Sequence, residues 1–173
     1  MTRNIAYHFT GSTLRDGSPI PPIGHKLVFP GKIKICKAGY HWSRQPFDAL
    51  QYAPGAMLHM VEFGGKTIEQ DDKGVSSERT IIATMDATYL LRRFAADQAL
   101  SVAHLWSMPD VVREYLVTLD EDKREAAAEA AAAEAAWAAA ARAEAVWAAW
   151  AAWAAARRDF NNRVAAAFAE GRT

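Results

Sequence analysis

The sequence predicts an α+β chain: a small N-terminal, mainly β domain with one short helix, then amphipathic helices and a long Ala-rich C-terminal helix or helical hairpin. Three observations predict it. From Met1 to about Asp86, glycine and proline punctuate short apolar runs, the pattern of strands and turns. After Asp86 only Pro109 interrupts the chain before Gly171, and apolar residues recur at three-and-four spacing. From Ala126 to Phe160 the chain is mostly alanine, the strongest helix former, with four tryptophans set into it. A length of 173 residues accommodates one ordinary domain and an appendage. The implied divisions are a head at 1–86, connecting helices at 87–119 and a tail at 120–173.

The elements follow in order. Strands are expected at Asn4 to Phe9, His25 to Phe29, Lys32 to Cys36, Ala56 to Phe63 and Glu78 to Asp86. In the third of these, "KIKIC", strict alternation puts Ile33 and Ile35 on the core face. Pro46 opens one short helix among the strands, and Pro54-Gly55 stops it. An amphipathic helix then carries Leu90, Leu91, Phe94, Ala95, Leu100, Val102 and Leu105. A second helix starts near Pro109, with Ser107 as its expected cap. Thr118 or Asp120 can cap a third that begins at Glu121 and runs to about Ala169.

Composition narrows the function. Twenty basic and twenty acidic residues cancel, which removes any global electrostatic case for nucleic acid or an anionic membrane. The small patch of Lys32, Lys34 and Lys37 with Tyr40 and Trp42 is less than phosphate-backbone binding normally needs. A single cysteine, Cys36, leaves no internal disulfide to form, and the N-terminus does not read as a leader, so the expected location is the cytoplasm. Alanine interspersed with Glu and Arg makes a poor membrane span. No Walker loop or nucleophile elbow occurs, and the five histidines and one cysteine lack paired metal-ligand spacing, so no metal is expected.

Two sets of residues carry the functional expectations. In the head, "YHFTGS" and "GYHWS" each put a histidine and a hydroxyl near a strand end: His8 with Thr10, and His41 with Ser43. Glu62, Glu69, Asp71 and Asp72 supply carboxylates. Histidine, hydroxyl and acid suit a general-base or nucleotide site, and equally suit histidines hydrogen-bonded beside ordinary turns. In the tail, Trp147, Trp150 and Trp153 step by three, so successive rings drift by about 60° on an ideal helix. Trp137 sits apart, and Arg142, Arg157 and Arg158 flank the stripe. Such a stripe packs as core, pairs with a second copy, or anchors a partner, because Trp and Arg dominate binding hot spots.

The block "KICKAGYHWSRQPFDALQYAPGAMLHMVEFGG", continued by "DDKGVSSERTIIA", resembles a small domain of unknown function found widely in bacteriophages and prophages, over about Lys32 to Ala83. The stretch from "MPDVVREYLVTLDEDKREAAAEAA" to "DFNNRVAAAF" is similar to alanine-rich tails of phage and actinobacterial proteins. These resemblances imply a phage-type accessory protein that works by binding a host protein, with inhibition of a host defence complex such as a CRISPR effector as its service. Trp137, Trp147, Trp150, Trp153, Arg142, Arg157 and Arg158 would be its contact residues, with no cofactor. A fainter likeness to ADP-ribosyltransferase folds implies the alternative, an enzyme holding NAD through His8, Thr10, His41 and Ser43, with Glu62 or Glu69 as its acid.

Overall fold

The computed structural model describes residues 4–138 and 146–171, the side chains of 133–151 excepted. The order is β1 (Ile5–Thr10), β2 (Lys26–Val28), β3 (Tyr40–Trp42), α1 (Pro46–Leu50), β4 (Met57–Glu69), β5 (Gly74–Asp86), α2 (Thr88–Ser101), α3 (Asp110–Thr118), α4 (Arg124–Ala138) and α5 (Val146–Ala169). Short 3-10 turns at Ala103–Leu105 and Glu121–Lys123 precede α3 and α4. The mixed α+β class is therefore the one the sequence predicts. The chain divides into two compact units, one of Met1–Thr88 with Asp159–Thr173, the other of Tyr89–Arg158.

The first unit is built on the long β4–β5 hairpin. All strand pairs are antiparallel, in the order β1-β4-β5-β2, and β3 also pairs with β5. The chain just beyond β3 bridges to β1: Tyr7 and Ser43 exchange both backbone bonds, at 2.8 and 2.9 Å. That bridge closes β1, β4, β5 and β3 into a ring, which satisfies edge groups that would otherwise be unpaired. Two irregularities bend the hairpin, between Met60 and Val61 and between Gly64 and Thr67. At the second, Gly65 has φ 69°, and a Cβ there would lie 2.2 Å from Ser77 Oγ, so only glycine fits.

Alternation sorts the side chains onto two faces. Ala6, Val61 and Ile81 are register partners on one face, and with Trp42 and Phe63 they form a buried cluster against which Ile20 packs. Trp42 stacks on Phe63 with centroids 3.8 Å apart. The other face of β1 carries Tyr7 and Phe9. Here the end of α5 returns to the head: Phe168 meets the Tyr7 ring, and Phe160 meets Phe47 of α1 edge-on at 5.8 Å. Asn161 Oδ1 accepts the Phe47 N–H at 2.9 Å, and Phe160 and Val164 are fully buried.

The second unit is held by polar capping as well as packing. Arg93 of α2 donates to the Leu116 and Val117 carbonyls at the end of α3 and pairs with Asp97 at 2.7 Å. A cation at those carbonyls satisfies the helix end and suits its dipole. Leu119 then turns the chain at φ 55°, and of the two caps the sequence offers, Thr118 and Asp120, it is Asp120 that accepts from the Asp122 N–H of the next turn. Arg92 and Lys123 pair with Glu121 and Glu114.

Two expectations are corrected. "KIKIC" is not a strand: Lys34 bridges to Ala38 around a tight turn with Cys36 at φ 59°, so Ile33 is buried while Ile35 is only half-buried. The strand of this region is Tyr40–Trp42 instead, where the register with Gly74–Ser76 supplies the hydrogen bonds. Ser107 does not cap α3; Pro109 occupies the cap position with no side-chain bond. The tail segment 139–145, on which a straight helix and a hairpin differ, lies outside the described residues.

Candidate functional site

The sheet brings together polar residues that are far apart in sequence. β1 and β4 pair His8 with His59, and β4 and β5 pair His59 with Thr84, so these three share the face of Ala6, Val61 and Ile81. Thr10, two residues from His8, points the same way. His59 is fully buried, with Thr10 Oγ1 2.9 Å from Nε2 and Thr84 Oγ1 2.8 Å from Nδ1. Thr10 spends its one hydroxyl proton on the Gly11 carbonyl, at 2.9 Å. It therefore accepts from His59 Nε2–H, which leaves Nδ1 to accept from Thr84. Both ring nitrogens are satisfied in one neutral tautomer.

Arg79 of β5, only 4% exposed, lies among these groups. Its Nη1 donates to the His41 carbonyl at 2.9 Å, and its guanidinium carbon stands 5.3 Å from the Tyr40 ring centroid. Burial pulls the Arg79 pKa down to about 10. The three nearby imidazoles are all held neutral. Burial first, then the Arg79 charge, lowers His59 to about 4. His8 is driven well below its ordinary value by burial, then by Arg79, His59 and His41. His41 is lowered by burial and Arg79, with Arg15 and Lys73 adding to the effect and a backbone bond at Gly39 opposing it.

Of the residues expected at a catalytic site, His8, Thr10 and His41 thus converge. Ser43 is buried at the strand bridge, where its backbone does the pairing. The two candidate acids lie elsewhere. Glu62 alternates with Val61 and Phe63 and so belongs to the opposite face of β4 from His59. Glu69 is engaged by Arg44 through two bonds of 2.7 and 2.9 Å, which lower its pKa. Sequence reasoning missed Arg79 and Thr84, assigned Tyr40 to the basic patch, and left His59 unplaced. The available signal was the alternation in "ERTIIA", which makes Arg79 and Ile81 neighbours on one face.

The other candidates are placed as follows. Trp42, buried under Arg44, is not free to stack on a base, so the basic patch of Lys32, Lys34 and Lys37 loses an aromatic partner. An open surface cavity between Gly31–Ile33 and Lys66–Ile68 shares no residue with the histidine cluster. Among the described residues no group of three His, Cys, Asp or Glu side chains could hold a metal ion, and no helix is long and apolar enough to cross a membrane. In α5, Trp153 is 45% exposed and the Arg157 guanidinium lies 5.5 Å from its ring centroid; Arg158 is exposed. The side chains of Trp137, Arg142, Trp147 and Trp150 lie outside the described residues.

Residues 4–93 match a family model described as a domain of unknown function, DUF7666. The match takes in every strand and the start of α2. No curated protein and no solved structure matches the chain.

Proposed function

The chain belongs to the DUF7666 family of domains of unknown function, and we propose that it is a phage-type accessory protein that acts by binding a bacterial host protein complex in the cytoplasm. The service we assign it is inhibition of a host defence complex, in the manner of an anti-CRISPR protein. The observation that carries the binding reading is Trp153 on α5, 45% exposed with Arg157 over its ring. A large ring at the surface with a guanidinium beside it combines the two residue types most enriched in interface hot spots. Its indole offers apolar area to a partner, and the arginine offers directed donors.

The test is capture from lysate of bacteria carrying a defence system, with the wild-type chain set beside Trp153→Ala and Arg157→Ala. A host complex retained by the wild type and lost by both variants supports the reading. Equal retention by all three chains removes the α5 face from it, and restored phage growth on defended cells tests the inhibitory service directly. Self-association through α5 is the competing occupant of this face, and sedimentation of the purified chain distinguishes it.

A second reading, an ADP-ribosyltransferase-like enzyme using NAD on a host protein, is favoured by the convergence of His8, Thr10 and His41. It lacks its acid, since Glu62 belongs to the other face and Glu69 is occupied by Arg44. Stabilisation by NAD that disappears in His8→Ala and His41→Ala would revive it. A chain that neither gains stability with NAD nor modifies any lysate protein would end it.

A further inference from the structure

Among the described residues, Arg79 is a buried cation without a counter-ion. It is 4% exposed, and among the described residues no carboxylate pairs with it. Among the described residues its one hydrogen bond is Nη1 to the His41 carbonyl, and buried Nε has no acceptor. Buried His41 Nε2 also lacks a partner. A buried guanidinium normally finds a carboxylate or a full set of carbonyls, because an uncompensated charge is costly in a medium that solvates it poorly. Here the aromatic face of Tyr40 is the other compensation, and a ring face is worth much less than an anion.

The surroundings repeat the sign. His8, His41 and His59 all feel the Arg79 charge, and Arg15 and Lys73 press on His41 as well. No carboxylate figures among the groups acting on these four residues. Of the cations, Lys73 has a partial partner in Asp72, 4.0 Å away, and Arg15 is exposed. His8, Tyr40 and His41 are only half-buried, so solvent reaches the edge of the cluster through them.

We propose that Arg79, with His8 and His41 at its edge, forms an anion-binding site in the head that takes a phosphate group. A phosphate fits better than a carboxylate because the Arg79 guanidinium and the ring nitrogens of His8 and His41 let more than two donors converge on it. The imidazoles add a reserve: an incoming dianion favours protonation of His8 and His41, turning ring nitrogens into charged donors. His59 cannot join in directly, since Thr10 and Thr84 occupy both its nitrogens. The site is independent of the α5 face, and of any transfer chemistry.

The experiment titrates the full-length wild-type chain with inorganic phosphate at constant ionic strength and follows the histidine ring signals by 1H–15N correlation. AMP and acetate are run as parallel arms. The five histidines contain their own control, because His25 and His104 are exposed and outside the cluster. Saturable shifts of His8, His41 and His59 at millimolar phosphate, with His25 and His104 unmoved, are expected. Tighter half-saturation by AMP identifies a nucleotide-type ligand, and equal half-saturation identifies the free phosphate group as what is read. Arg79→Gln should weaken half-saturation by at least about tenfold; where that variant does not fold, the wild-type histidine pattern decides. Absence of saturable shifts with both phosphate and AMP overturns the proposal, as does equal movement of all five histidines or acetate acting as well as phosphate.

Discussion

Thr10 Oγ1 lies 2.9 Å from His59 Nε2 and spends its own proton on the Gly11 carbonyl, so the threonine accepts from the ring. With Thr84 donating to Nδ1, the buried imidazole is fixed in one neutral tautomer. His59 is thereby a structural tie between β1, β4 and β5, unsuited to taking a proton. Replacing Thr10 with valine keeps the shape and removes the acceptor, leaving a buried N–H without a partner. The expected cost is roughly 1–3 kcal/mol of stability, read by urea denaturation. Thr84→Val should cost a similar amount by stranding Nδ1. A loss within error for both variants would show that the ring is satisfied otherwise.

The same neutral histidines make stability depend on pH, and the sign follows from their depressed pKa values. The unfolded chain takes up protons near the ordinary histidine value of about 6.5, while folded His59 resists until about 4. Stability is therefore full above the unfolded value and falls as pH drops below it, levelling off once folded His59 protonates. Between pH 7 and pH 5, where carboxylates stay ionised, His59 alone should remove roughly 2 kcal/mol. His8 and His41 act in the same direction. Urea midpoints that do not fall between pH 7 and pH 5 would contradict the buried neutral assignment.

Much of this architecture is legible in the sequence, and the losses have physical reasons. Gly and Pro punctuation marks the strands and α1, and Asp120 is readable as a cap because capping is local chemistry. "KIKIC" misleads because alternation is a necessary sign of a strand, not a sufficient one: without a partner in register it closes into a turn at Cys36. Arg79 could not be placed because its neighbours, His8, His41 and Tyr40, are set by strand register, which no single segment encodes. Phe160 and Phe168 lie on an Ala-rich helix, and nothing local in it says that their partners are Phe47 and Tyr7.

Gly74 tests the aromatic layer. A Cβ at this position would lie 2.3 Å from the Trp42 ring, which is pinned between Gly74 and Phe63. The indole has no room to retreat, because Arg44 covers it at 5.2 Å. Gly74→Ala should destabilise the head by about 1–3 kcal/mol through overpacking and shift the near-ultraviolet circular dichroism of the stacked pair. An alanine variant with unchanged stability and spectrum would mean that the Trp42 ring is not held where the stack places it.

Phe160 tests whether the end of α5 belongs to the head. It is fully buried against Phe47, one residue before Asn161 ties the Phe47 N–H and four before buried Val164. Phe160→Ala should cost about 3–5 kcal/mol in urea denaturation, the range for emptying a packed aromatic site. It should also speed amide exchange in β1 and α1, the elements that Phe168 and Phe160 touch. The consequence reaches beyond stability. A chain cut after Asp120 loses Phe160, Asn161, Val164 and Phe168 together, so its failure to bind a partner would report a damaged head as readily as a missing contact surface. Point changes at Trp153 and Arg157 avoid that confusion, because they leave Phe160, Asn161, Val164 and Phe168 in place. If Phe160→Ala left stability and β1 exchange unchanged, the helix end would be an ornament on the sheet, and truncation would become a fair test of the tail.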